Sequence, residues 1–216
     1  MSKKEIVFVL DRSGSMSNLI NETIDGFNSM IENYRRDKDN DYTISLFIFD
    51  NHYETVFKRK PLKEITELTK DIYFARGMTA LIDAACFAID EIGRDLDDLN
   101  ENEKPDEVIF VITTDGAENS SKEFTKGTLK EKITQQEKVY SWEFIFLGAN
   151  IDTFGDASEY GVSLSNTVDY NFNSRGVTAL YSAVANTTSI SRQVREETKL
   201  QDVYDKELEE GEDANS

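Results

Sequence analysis

The 216 residues include 24 basic and 42 acidic side chains, a net charge of −18, with 38% hydrophobic and 11% aromatic residues. Such a charge excludes a general binder of nucleic acid or anionic membrane, because phosphates would be repelled. The length and apolar content suit one domain with a sizeable core. Cys86 is the only cysteine and His52 the only histidine, so an internal disulfide and a zinc site are both excluded and a reducing, cytoplasmic setting is expected. No apolar run is long enough to span a membrane, and the one that follows Lys3 and Lys4 stops at Asp11, too early for a signal-peptide core.

In chain order, Ile6 to Leu10 is a run of apolar, mostly β-branched residues and reads as a strand buried on both faces. It ends in Asp11, Ser13 and Ser15 at alternate positions. Side chains spaced this way in a curling loop converge on one point, and Gly14 allows the tight backbone. One carboxylate with hydroxyl oxygens is a ligand set for a hard cation such as Mg²⁺ or Mn²⁺. The competing reading is a helix N-cap at Ser15 or Ser17. Leu19, Ile24, Phe27, Ile31 and Tyr34 then recur at helical spacing and predict a helix over 18–36. A polar turn at 37–41 leads to a strand over 42–49, and Asp50-Asn51 joins it to a short hairpin partner over 52–58. His52 is expected at the surface.

Arg76-Gly77-Met78-Thr79 precedes a helix whose apolar stripe includes Leu81, Ala85, Ala88, Ile92 and Leu96. Read alone, Thr79 is an N-cap and Asp83 complements the helix dipole; Cys86 is core filler. Glu107 to Thr114 is a second fully buried strand, and it delivers Asp115-Gly116 at its end. A helix over 128–139, a strand over 142–148, a short helix over 152–160, a strand over 162–170 and a last helix over 176–198 complete the pattern. Alternating strands and helices predict an α/β sheet, mostly parallel, with ligands beyond the carboxyl ends of the strands where strand order reverses. Residues 1–198 are expected to form the domain. Residues 199–216 are expected to be an acidic, solvated tail: nine acids against two lysines lie between Glu196 and Ser216, and only Leu200, Val203, Tyr204 and Leu208 favour a weak helix.

Three ordered motifs, Asp11-x-Ser13-x-Ser15, Gly77-x-Thr79 and Thr114-Asp115-Gly116, resemble those of the von Willebrand factor A domain family over about residues 5–197. The run from Trp142 to Asp152 is similar to free-standing bacterial and phage members. The resemblance implies a doubly wound six-stranded sheet of order 3-2-1-4-5-6 with strand 3 antiparallel, carrying a metal-ion-dependent adhesion site. It implies that Ser13 and Ser15 bind Mg²⁺ directly and Asp11 through water, with Thr79 and Asp115 exchanging direct and water-mediated roles. Met78 departs from the pattern, standing where many members have a second glycine. A second copy of the middle motif, Arg175-Gly-Val-Thr-Ala-Leu180, lacks a D-x-S-x-S partner and reads as a similar helix start.

Two functions compete. One is a metal-dependent protein-binding module whose cation accepts an Asp or Glu carboxylate from a partner protein, with no role for nucleic acid or membrane. The alternative is a metal-assisted hydrolase or phosphoryl-transfer enzyme at the same crevice, with Asp11 as nucleophile. Ser13 stands where D-x-D phosphatases carry a second carboxylate, and no nucleotide-binding glycine motif is present, so binding is favoured. A third possibility is partner binding through the helices, with the metal merely holding the loops.

Overall fold

The computed structural model describes residues 1–213. Its centre is β1 (Ser2–Asp11), flanked by β2 (Asn40–Phe49) and β4 (Glu107–Thr114), both parallel to it. β3 (Tyr53–Pro61) runs antiparallel to β2 at one edge, and β5 (Glu143–Gly148) and β6 (Thr167–Asp169) extend the sheet in parallel on the other. The strand order is therefore β3-β2-β1-β4-β5-β6, as expected.

The continuous apolar run of β1 serves two cores at once. Ile6, Phe8 and Leu10 face α1 (Ile20–Arg36) and α5 (Ser174–Ser189). Val7 and Val9 face α2 (Leu81–Asp97), α3 (Lys126–Tyr140) and α4 (Thr153–Tyr160). Alternation along a strand sends successive side chains to opposite faces, so the stretch Ile6–Leu10, covered on both sides, is apolar throughout. Cys86 is buried in the second core as a free thiol. Among the described residues, no helix is long and apolar enough to cross a membrane.

Three expectations change. The sixth strand shrinks to three residues, because the chain before it turns through a 3-10 segment, Leu164–Asn166. The last helix breaks at Ile190 into α5 and α6 (Arg192–Glu196). Buried Lys4 donates to the carbonyls of Thr188 and Ile190, and Arg195 donates to that of Ile190. Two cations thus satisfy the end of α5, where unpaired carbonyls and the helix dipole favour positive charge. Glu107 and Glu143 pair with Arg195 to complete this network beneath the sheet.

The largest change is the tail. Residues expected to be solvated fold as α7 (Leu200–Asp213), which packs on α5 and beside β6. Leu200 and Tyr204 are both 1% exposed and belong to the core, with Val203 and Leu208 partly buried against it. Tyr204 Oη accepts the Asn171 N–H at 2.8 Å, and Gln201 accepts the Asp169 N–H at 2.9 Å. The apolar residues recur at helical spacing, and the edge of the sheet supplies the surface that offsets their ordering. The part of the tail expectation that concerns 214–216 lies outside the described residues.

Candidate metal site

β1 and β4 are the parallel neighbours between which strand order reverses, so the loops after them meet across the carboxyl edge of the sheet. The register pairs Leu10 with Thr113, which sets Asp11 beside Thr114. The Thr114 hydroxyl donates to Asp11 Oδ2 at 2.6 Å, and the Ser13 N–H donates to Asp11 Oδ1 at 2.6 Å. The loop then curls in a 3-10 turn, Gly14–Leu19. This brings Ser13 Oγ and Ser15 Oγ within 2.9 Å of one another, and Ser15 Oγ donates to Asp115 Oδ1 at 2.6 Å. A methyl group placed on Gly116 would stand 3.4 Å from Thr79 Oγ1 and 3.5 Å from Ser15 Oγ. All five sequence-chosen residues, Asp11, Ser13, Ser15, Thr79 and Asp115, therefore surround one spot.

The helix-cap readings fail. Neither the turn after Ser13 nor α1 has a side-chain N-cap, so Ser15 and Ser17 do not serve as caps. The N-cap of α2 is Ala80, and it too makes no side-chain cap bond. Thr79 instead fixes its loop through the backbone: its N–H donates to Asn119 Oδ1, and its carbonyl accepts from the N–H groups of Asn119 and Ser120. At the second copy of the motif, Asn173 caps α5 and the Thr178 hydroxyl is spent on the Ser174 carbonyl, leaving no donor set there.

Burial pushes the Asp11 carboxyl up to about 6, against the hydrogen bonds from Thr114 and Ser13. Burial also raises Asp115, opposed by Ser15. Asp115 Oδ2 is buried without a hydrogen-bond partner, an arrangement that normally costs free energy unless a donor or cation meets the oxygen. Two desolvated carboxylates beside three hydroxyls form a hard oxygen donor set suited to Mg²⁺ or Mn²⁺. Among the described residues, no three His, Cys, Asp or Glu side chains cluster as a metal group; the carboxylates here number two, and hydroxyls make up the rest.

Sequence reasoning missed what holds these loops. Asp83 does more than complement a dipole: its carboxylate accepts the N–H groups of Lys122, Glu123 and Phe124. Glu118 reciprocates by accepting the N–H groups of Ile82, Ser120 and Ser121. The Tyr73 hydroxyl donates to the Asp11 carbonyl. The Gly14 N–H donates to the Gly77 carbonyl at 3.1 Å. Gly77 adopts φ +70°, and a side chain there would collide with Asn51. No local pattern announces such bonds between distant segments.

No protein-family model matches the sequence, and no curated protein does either. Solved structures do. Proximal thread matrix protein 1 from the mussel byssus, in a structure with a zinc-occupied MIDAS motif, superposes with a TM-score of 0.61 at 14% identity over 87% of this chain and 46% of that one. The ArnB paralog VWA2 from Sulfolobus acidocaldarius gives 0.52 at 18% identity over 87% and 45%.

The fold is that of a von Willebrand factor A domain.

The pilus adhesin SpaC from Lactobacillus rhamnosus GG shares it, with a TM-score of 0.64 at 13% identity over 88% of this chain and 30% of that one. The chain spans less than half the length of each of these three structures. At such identities the likeness establishes the fold, and the A-domain architecture places the carboxyl ends of β1 and β4 where the five residues converge.

Proposed function

We propose that this A domain is a divalent-cation-dependent protein-binding module. Ser13, Ser15, Thr79 and Asp115 would hold Mg²⁺ or Mn²⁺, with Asp11 supporting them. The observation that carries the reading is the convergence of three separate loops on one oxygen-lined spot that contains the unpartnered Asp115 Oδ2. Both Asp11 oxygens are already engaged, so the hydroxyls and Asp115 are the freer donors. When bound, the cation supplies a Lewis-acidic position for a hard anionic oxygen, and we assign that position to an Asp or Glu carboxylate of a partner protein. The zinc-occupied motif of the mussel protein and the likeness to the pilus adhesin SpaC support a metal-dependent adhesion-type reading.

Binding is preferred to catalysis because both oxygens of Asp11, the candidate nucleophile, are engaged by Thr114 and Ser13, and the histidine and the cysteine are placed elsewhere. His52 is exposed in the β2–β3 turn, and burial pushes the Cys86 thiol up to about 12. A reducing, cytoplasmic location belongs to the same proposal and rests on that free thiol.

Thermal unfolding with and without Mg²⁺ or Mn²⁺ tests the site. A metal at about 100 times its Kd stabilises a folded state by about 2.7 kcal/mol, and Asp11→Ala and Ser15→Ala should lose most of that gain. An equal metal-induced shift in wild type and Asp11→Ala sinks the reading. Capture of a partner in Mg²⁺ but not in EDTA, abolished when the partner's contacting acid becomes Asn or Gln, tests the carboxylate.

A further inference from the structure

Asp50 immediately follows β2 and is fully buried. Its Oδ2 accepts Arg12 Nε at 3.0 Å and Arg76 Nε at 2.7 Å, while Oδ1 accepts the His52 N–H at 2.9 Å. The same two arginines reach Glu54 Oε1 on β3, Arg12 at 2.5 Å and Arg76 at 2.6 Å. Both guanidiniums also stack on the Phe74 ring, 5.4 and 5.2 Å from its centre. Burial alone would raise the Asp50 carboxyl, but the Arg76 and His52 hydrogen bonds and the charge of both arginines hold it below the usual range.

The placement of the arginines gives this cluster its meaning. Arg12 stands between Asp11 and Ser13; Arg76 opens the loop that carries Thr79. The backbone repeats the link, since the Arg76 N–H donates to the Arg12 carbonyl and the Ala80 N–H to the Asp50 carbonyl. One carboxylate just beyond the neighbouring strand thus bonds both the D-x-S-x-S loop and the Thr79 loop. Together with Glu54 it balances the charge of the two arginines beside the proposed metal position.

We propose that Asp50, through Arg12 and Arg76 and with Glu54 as second acceptor, is a positioning residue for the metal site. The inference rests on the metal-binding reading above. Outer-shell partners that orient ligand groups typically alter metal affinity by 10–100-fold, and an acceptor on Nε with a second on Nη2 of each guanidinium uses the forked donors of arginine.

The test is Mn²⁺ affinity of the full chain, by calorimetry at fixed ionic strength, with the unfolding midpoint in EDTA measured in parallel. Arg76→Met keeps an apolar stem against Phe74 at a half-exposed position and is the variant that should fold; Asp50→Asn is the more severe one. The control is Arg94→Met, which removes the same charge from an exposed position on α2. Loss of a nearby cation should by itself tighten a metal. Weakening of Mn²⁺ by about tenfold or more in Arg76→Met, with Arg94→Met at wild-type affinity, supports positioning. Unchanged or tighter Mn²⁺ binding in Arg76→Met, even with a lowered midpoint, overturns it. Wild type that binds no Mn²⁺ removes the metal reading itself, and this inference with it.

Discussion

Single side chains buried in the sheet carry charges that a sequence pattern treats as surface. Glu5 lies in the middle of the sheet, fully buried, with Arg59 Nε donating to its Oε2 at 3.0 Å and the Ser45 hydroxyl to its Oε1 at 3.2 Å. Arg59 reaches it from a β-bulge, in the left-handed conformation at φ 48°. Burial nonetheless prevails and raises the Glu5 carboxyl from 4.5 to about 7. The folded state therefore holds the Glu5 proton more tightly than the unfolded chain. Stability from this group is full below about pH 4.5 and is lost as pH rises through about 7. Glu5→Gln has no such proton to lose. Its stability relative to wild type should rise between pH 4.5 and 8, by on the order of 3 kcal/mol, in urea unfolding followed across pH. A difference that stays flat with pH shows that Arg59 holds the carboxylate ionised throughout.

At the scale of elements, α7 is the piece whose role is most open to measurement. It buries Leu200 and Tyr204 against α5, and it occupies two N–H groups at and just after β6. Tyr204→Ala removes a buried aromatic and should cost about 3–5 kcal/mol. Ending the chain after Thr198 should cost at least as much in urea unfolding. Truncation also uncovers the edge of β6, and an unpaired edge is a template for pairing with another chain. The shortened protein should therefore show concentration-dependent self-association by sedimentation. Stability within about 1 kcal/mol of the full chain, the range for changes away from core features, would show that α7 docks without consequence. Contacts between remote segments also explain why α5 stops where it does: Lys4 and Arg195 close its end from the first strand and from α6.

For the molecule as a whole, the charge of −18 bears on any partner that offers an acid to the site. Long-range repulsion slows the approach of an acidic protein, whereas one exposed carboxylate on a neutral or basic surface is drawn in. The association rate of such a partner should fall as salt rises, with the steepest change below about 0.15 M, where the Debye length is about 8 Å. Dissociation should respond to EDTA rather than to salt. A rate that climbs with salt indicates an acidic partner surface, and the proposed complementarity would then be wrong.

The sequence by itself determined the central elements and their order, from β1 to β5. Continuous apolar runs at Ile6–Leu10 and Val108–Ile112 marked strands covered on both faces, and the helical stripes of α1 and α2 marked what covers them. It also picked out Asp11, Ser13 and Ser15 by their alternate spacing at a strand end, and Thr79 and Asp115 through the resemblance of their motifs to the von Willebrand factor A domain family. Only the tertiary structure decided that these residues meet, that Asp50 braces two of their loops through Arg12 and Arg76, and that the acidic tail folds. Leu200 and Tyr204 look too few to order a tail until the edge of β6 and the face of α5 are known to stand beside them. Asp50 likewise reads as a turn residue until Arg12 and Arg76, 38 and 26 residues away, close on it. Local periodicity reports which face of a segment is apolar; the partner that buries it, or pairs its charge, is fixed by contacts between segments remote in sequence, whose energies no local pattern encodes.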